Sequence, residues 1–212
     1  TGTCQDVTSL LQGNLNAGKP KVSCIIEDKN KNLWVGTYGS GLYKINLPTQ
    51  HVTYYESTRN ENDDWSINRL PNDWISYLLE DKEGMIWIGT YKGLAVLNPQ
   101  TDNFINYKKQ NNLLPGYVVY SLLESSNGEI WAGTSEGLVC LNKDRLTPVL
   151  FTTADGLPSD IICGLAEDEK KNIWISTHQG ISKLNPPEKK FINYYAGDGL
   201  QGNEFTRTAV FK

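Results

Sequence analysis

The sequence predicts an all-β fold made of β-propeller blades, four complete four-stranded blades plus the start of a fifth. Three observations carry this. A Trp-centred segment recurs as Leu33-Trp34-Val35-Gly36-Thr37, Ile86-Trp87-Ile88-Gly89-Thr90, Ile130-Trp131-Ala132-Gly133-Thr134 and Ile173-Trp174-Ile175-Ser176-Thr177. The tryptophans stand 53, 44 and 43 residues apart, so a unit of 43 to 44 residues repeats, with one long insertion after the first copy. Each unit holds four short apolar runs broken by Gly, Asn and Asp, and no segment sustains a helical apolar period. Four strands in a unit of this length is the pattern of a propeller blade.

The elements follow the same order in each unit. A hydrophobic run ends in an acidic pair, as in Ile25-Ile26-Glu27-Asp28, Leu78-Leu79-Glu80-Asp81 and Leu165-Ala166-Glu167-Asp168; the third unit departs with Leu122-Leu123-Glu124-Ser125. A polar turn such as Lys82-Glu83-Gly84 leads into the Trp strand. Gly41-Leu42, Gly93-Leu94, Gly137-Leu138 and Gly180-Ile181 open the third strand, where glycine permits a tight reversal. The fourth is aromatic and β-branched: Phe104-Ile105-Asn106-Tyr107 returns verbatim as Phe191-Ile192-Asn193-Tyr194. A lone four-stranded sheet cannot bury both faces, so each blade must stack on its neighbour, and one large flat side chain per blade fills that gap.

The whole of 1–212 reads as one propeller region: 1–20 as the end of a preceding blade and linker, 21–58 as blade 1 and 59–71 as an inserted loop. Blade 2 spans 72–110, blade 3 spans 116–153, blade 4 spans 159–196, and 204–212 reads as the first strand of a truncated blade 5. Either four blades close into a ring or the chain is an arc of a larger propeller; the fragmentary ends favour the arc. Exposed terminal blade faces would then favour self-association.

The chain has 212 residues, a formal charge of −4, 39% hydrophobic and 21% charged residues, with 6 Trp and 9 Pro. That is enough to bury a core and too apolar for disorder. Apolar runs stop near eight residues, well short of the roughly 20 a membrane span needs. The acidic balance without a Lys/Arg cluster argues against nucleic acid and against direct membrane contact. Two His and four Cys without a C-x-x-C pair give no metal pattern, and no cofactor motif is present. Residue 1 is Thr with no leader pattern after it, which reads as a mature or excised piece of something longer. Cys4 with Cys24, or Cys140 with Cys163, are two pairings that spacing leaves open beside small buried thiols.

The unit of two hydrophobes, Glu-Asp, a polar turn, Ile-Trp-Ile-Gly-Thr, Gly-Leu and Asn-Pro resembles the two-component regulator propeller repeat. The resemblance covers nearly the whole chain. It implies an extracytoplasmic, periplasmic sensor region of a hybrid histidine kinase, of the kind that detects oligosaccharides and controls polysaccharide-utilisation genes. Its partners would be an oligosaccharide and the neighbouring blades or domains of the parent sensor. Asp198-Gly199-Leu200-Gln201-Gly202-Asn203-Glu204-Phe205 also resembles the lead-in to the family's last blade. The alternative is a structural scaffold that sets geometry or dimer contacts while another domain reads the ligand.

No converging acid, base or nucleophile is legible, so no catalytic residue is expected. Glu27, Glu80, Glu124 and Glu167 recur in every unit and read as strand-end residues, with the adjacent Asp accepting backbone N–H bonds. The Asp-to-Trp spacing is one residue too long for the Asp-box of sialidases. A streptogramin-lyase-like site lacks a place for its histidine, since only His51 and His178 are present. The repeated tryptophans read as inter-blade packing. The candidates for ligand contact lie outside that pattern: Trp65 and Arg69 in the insertion, and Trp74, which replaces Lys21, Val118 and Ile161 of the other units. Tyr38, Tyr91 and His178 follow the Trp strands, and Tyr117 stands at the start of blade 3; all should open on one face. Aromatics with polar neighbours suit a sugar ring, whose C–H face stacks while its hydroxyls hydrogen-bond.

Overall fold

A computed structural model describes residues 20–57, 68–107, 118–143, 145 and 148–206. Blade 1 is built from β1 (Val22–Glu27), β2 (Asn32–Thr37), β3 (Leu42–Asn46) and β4 (Val52–Tyr55), and blade 2 from β5 (Ile75–Glu80), β6 (Ile86–Thr90), β7 (Gly93–Asn98) and β8 (Asn103–Tyr107). Blade 3 holds β9 (Val119–Glu124), β10 (Ile130–Thr134), β11 (Gly137–Leu141) and β12 (Pro148–Phe151). Blade 4 holds β13 (Ile162–Glu167), β14 (Ile173–Thr177), β15 (Gly180–Asn185) and β16 (Lys190–Tyr194). Each blade is a separate antiparallel meander of four strands. The helical content among the described residues is two single 3-10 turns, Thr153–Asp155 and Ala196–Asp198. Cys140 and Cys163 are not joined by a disulfide, which removes that pairing, and the Cys163 thiol donates to Phe205 O at 3.0 Å; Cys24 is a thiol too, while Cys4 lies outside the described residues.

The first strands β1, β5, β9 and β13 contact one another in chain order and form the inner edge of the stack. Glycine in the Trp strand sets how closely they approach. A Cβ on Gly36 would stand 2.7 Å from Ile75 Cγ2, and one on Gly133 would stand 2.6 Å from Ile162 Cγ2. The hairpin glycines do a different job: Gly137 and Gly180 have φ of 138° and 115°, and a Cβ would come within 2.6 Å of the Phe151 or Tyr194 carbonyl.

Trp34 and Trp87 are fully buried and Trp131 is 2% exposed. Trp34 packs with Leu78, Ile88 and Ala95 of blade 2, Trp87 with Leu122, Ala132 and Val139 of blade 3, and Trp131 with Leu165 and Ile175 of blade 4. Each repeat tryptophan also stacks on an outer-strand aromatic of its own blade, as in Trp34–Tyr55 at 6.0 Å and Trp174–Tyr194 at 5.6 Å. The inter-blade role read from the sequence holds for Trp34, Trp87 and Trp131; Trp174, on the last complete blade, is only partly buried and joins no inter-blade cluster among the described residues.

The acidic pair divides its work. Asp28, Asp81 and Asp168 accept the indole N–H of Trp34, Trp87 and Trp174 at 2.8, 2.7 and 2.9 Å, and also cap the turn, with Asp28 taking the Asn30 and Asn32 N–H. The preceding Glu reaches back to the previous blade: Glu80 accepts the Lys29 backbone N–H, Glu124 that of Lys82, and Glu167 that of Ser126. Burial pushes the Asp28 and Asp168 carboxyls up, but the donors from the Asn and Trp side chains and the backbone outweigh it. Both sit below the usual range, Asp168 at about 2. A depressed folded-state value stabilises above the unfolded value of about 3.9 and loses that contribution as pH falls through the folded value. The melting temperature should therefore hold down to about pH 4 and fall steeply between about pH 4 and pH 2. A profile flat to pH 2 in thermal melts would contradict this.

Among the described residues the stack is an open arc, with no closed sheet. Ile25 on β1 is 52% exposed, whereas its counterparts Leu78, Leu122 and Leu165, each covered by the blade before, are 4, 3 and 6% exposed. At the other end, Asn203 repeats a contact made earlier in the chain. Its Oδ1 accepts the Ala196 N–H, as Asp73 takes that of Ser57 and Asp160 that of Thr153. Phe205 then donates its N–H to Thr177 O at 3.3 Å, in the place where a next inner strand begins. Residues 204–206 are not strand, and 207–212, like 1–19, lie outside the described residues.

Candidate functional site

One face of the stack is built by the hairpins after the Trp strands and by the connections into the inner strands. In each blade the first residue of that hairpin donates its backbone N–H to the residue preceding the inner strand: Tyr38 to Lys21 O at 2.8 Å, Tyr91 to Trp74 O at 3.1 Å, Ser135 to Val118 O at 3.1 Å and His178 to Ile161 O at 3.3 Å. Four side-chain pairs thus line the rim, and the pair in blade 2 is Trp74 with Tyr91.

Trp74 is 49% exposed and Tyr38 is 39% exposed. The indole meets the Tyr38 ring edge-on at 6.2 Å and the Tyr91 ring edge-on at 5.6 Å, so a three-ring cluster crosses the boundary between blades 1 and 2. Its backbone is fixed at several points. Tyr38 and Trp74 form a β-bridge, Asn72 Oδ1 accepts the Trp74 N–H at 3.0 Å, and Asp73 O accepts the N–H of Gly39 and Gly41 at 3.1 and 3.0 Å. Gly39 has φ of 87°, and a Cβ there would stand 3.1 Å from Trp74 Nε1, so the glycine lets the indole lie against the loop. Lys21 Nζ lies over the Tyr38 ring, 5.6 Å from its centre. This is a rigid, half-exposed aromatic surface, suited to stacking on an apolar face of a ligand.

The remaining candidates are not gathered there. Arg69 sits at the far end of the same connection, its carbonyl accepting Asn106 Nδ2 at 3.1 Å. It lines a separate cleft of about 250 Å³ with Tyr54, Tyr55, Glu56, Asn68 and Phe104. His178 is exposed on the rim of blade 4, two blades from Trp74. Trp65 and Tyr117 lie outside the described residues.

Sequence reasoning missed Gly39, Asn72, Asp73 and Lys21. Asp73 had a signal, since Asp160 and Asn203 occupy the same repeat position. It also missed Asn68, whose amide donates to Asp102 O at 3.1 Å and Asn103 Oδ1 at 3.2 Å and accepts from the Phe104 N–H. The repeated carboxylates are taken up by the turn and inter-blade bonds described above. Burial also holds Glu124 above its ordinary range, while Arg145 lowers Glu83. Among the described residues no group of three or more His, Cys, Asp or Glu is placed to hold a metal ion.

The profile of the two component regulator propeller matches residues 18–39, 69–92, 113–136 and 156–179, which in each blade spans the inner strand, the Trp strand and this rim. No curated protein matches the chain. Among solved structures, the extracellular domain of a hybrid two-component system from B. thetaiotaomicron is 28% identical, with a TM-score of 0.79 over 94% of this chain and 26% of that one. A second such domain from the same organism is 22% identical, with a TM-score of 0.72 over 92% of this chain and 27% of that one. The virginiamycin B lyase of Staphylococcus aureus, 12% identical, shares the fold, with a TM-score of 0.60 over 85% of this chain and 57% of the lyase. The chain spans about a quarter of the length of the extracellular domains it matches.

Proposed function

The chain is an array of four two-component regulator propeller repeats, and from that premise we propose that it is a ligand-recognising part of a periplasmic sensor that responds to an oligosaccharide. Support for a sensor-type module comes from its 28% identity, over 94% of its length, to the extracellular domain of a hybrid two-component system. The observation that carries the ligand reading is Trp74. It stands half-exposed between Tyr38 and Tyr91 at a repeat position where the other blades have Lys21, Val118 and Ile161. An aromatic that the blade does not need for packing, braced by two others and by the backbone, is available to stack on a sugar ring. On this reading the fragment recognises and does not catalyse, and its state passes to domains elsewhere in the parent protein.

The test is a thermal-shift screen against oligosaccharides followed by titration of the hits. A ligand at 100 times its dissociation constant should stabilise the fold by about 2.7 kcal/mol. Trp74→Ala should weaken binding at least tenfold, yet lower stability by only about 1 kcal/mol, because half of the indole is already in water. A flat response across the panel would leave the scaffold role instead.

A further inference from the structure

We propose that the ligand of the Trp74 platform is an acidic oligosaccharide, one whose sugars carry carboxylate or sulfate groups. This rests on the reading of Trp74 as a sugar platform and adds the class of sugar.

The argument is one of charge placement. The chain carries a formal charge of −4, yet one lysine lies over the first ring of the three-ring cluster and another follows its last ring in the sequence. Lys21 places its ammonium over the outer ring, Tyr38, and Lys92 follows Tyr91 on the exposed tip of the next hairpin. Neither lysine takes part in an ion pair among the described residues, whose bridges use Lys31, Lys82 and Arg145. Other lysines have intramolecular work. Lys29 Nζ donates to Asp81 O and Lys82 O, Lys82 Nζ to Ser125 O, and Lys44 Nζ to Pro99 O, each across a blade boundary. Lys21 instead stacks on a ring whose other neighbour is the exposed indole. Among the described residues of the connection into Trp74, the one carboxylate is Asp73, which accepts the Ser57 N–H at 2.6 Å. The sign changes one blade on, where Glu136 holds the position of Lys92, so the basic stretch coincides with the aromatic one across blades 1 and 2. A ligand that lays an apolar ring face on Trp74 and extends an anion to either side meets both features.

The experiment is calorimetric titration of the chain at 50 mM salt with a hexuronate tetrasaccharide, a sulfated tetrasaccharide and a neutral tetrasaccharide. Each exposed lysine is worth about two- to fivefold, so at least one acidic sugar should bind about tenfold more tightly than the neutral one. Which of the two does so identifies the anion. The Lys21→Gln/Lys92→Gln double variant should remove that preference without moving the melting temperature, and 500 mM salt should do the same in the unaltered chain. Trp74→Ala should abolish binding of the preferred sugar.

If the neutral sugar binds as tightly, and still requires Trp74, the acidic class is wrong and the platform stands. Acidic binding indifferent to Trp74→Ala would be unspecific charge attraction and would overturn the inference. Failure of all three sugars to bind would overturn both this inference and the platform.

Discussion

Trp87→Ala should cost about 3–5 kcal/mol, the range for emptying a buried aromatic site. Trp87 is fully buried, stacks on Tyr107 at 5.8 Å, and packs against Leu122, Ala132 and Val139 of the next blade. Removing it leaves a cavity between two sheets that cannot close without moving a whole blade. The Arg145 guanidinium, 5.3 Å from the ring, loses its stacking partner at the same time. The damage should also have a direction. Because the Trp face of each blade meets the following blade, the junction between blades 2 and 3 should loosen most, while the junction between blades 1 and 2 rests on Trp34 and should hold better. Urea denaturation gives the size, and amide exchange on β9 against β1 gives the direction. A loss near 1 kcal/mol, or equal deprotection on both sides, would show that stacking is not what holds the array together.

What the sequence displays is whatever repeats through side chains. The Trp at 43- to 44-residue spacing, the acidic pair and the hairpin glycines all recur, and each has a local task that a blade must repeat. The division between Glu and Asp stayed hidden because the partner of Glu80 is a backbone N–H, and backbone donors leave no mark in a sequence. The glycines of the Trp strand were visible, but their role in admitting Ile75 or Ile162 needs the neighbouring blade in place. At the candidate site, Trp74 was legible as a departure from the repeat, and Tyr38 and Tyr91 as its hairpin neighbours. Arg69 was legible as polar in the insertion and His178 as polar after a Trp strand, yet the fold separates them from Trp74. Arg69 follows the path of the connection to the outer edge, and His178 shares a repeat position but belongs to another blade.

Blade 3 contains a natural experiment that makes the second large effect predictable. Where the other blades have Asp, it has Ser125, whose hydroxyl engages Asn127 Oδ1 at 2.5 Å and Glu129 O at 3.0 Å, and Trp131 Nε1 is left buried without a partner. Asp81→Ser would install the same defect in blade 2 and add another. Asp81 is 1% exposed and accepts the Trp87 indole at 2.7 Å and the Met85 N–H at 2.8 Å, while the Arg145 guanidinium lies 3.0 Å away. Losing the carboxylate strands an indole N–H and leaves Arg145, among the described residues, with the exposed Glu83 as its counter-ion. Arg145 is 24% exposed and keeps that partner, so the main cost is the stranded indole N–H, about 1–3 kcal/mol for a buried donor left unsatisfied. The reverse change, Ser125→Asp, should supply the missing acceptor to Trp131 and raise stability by about 1 kcal/mol. The two variants move in opposite directions for one physical reason, so chemical denaturation of both tests it directly. If Ser125→Asp destabilises the chain, the indole is not the group that the aspartate serves.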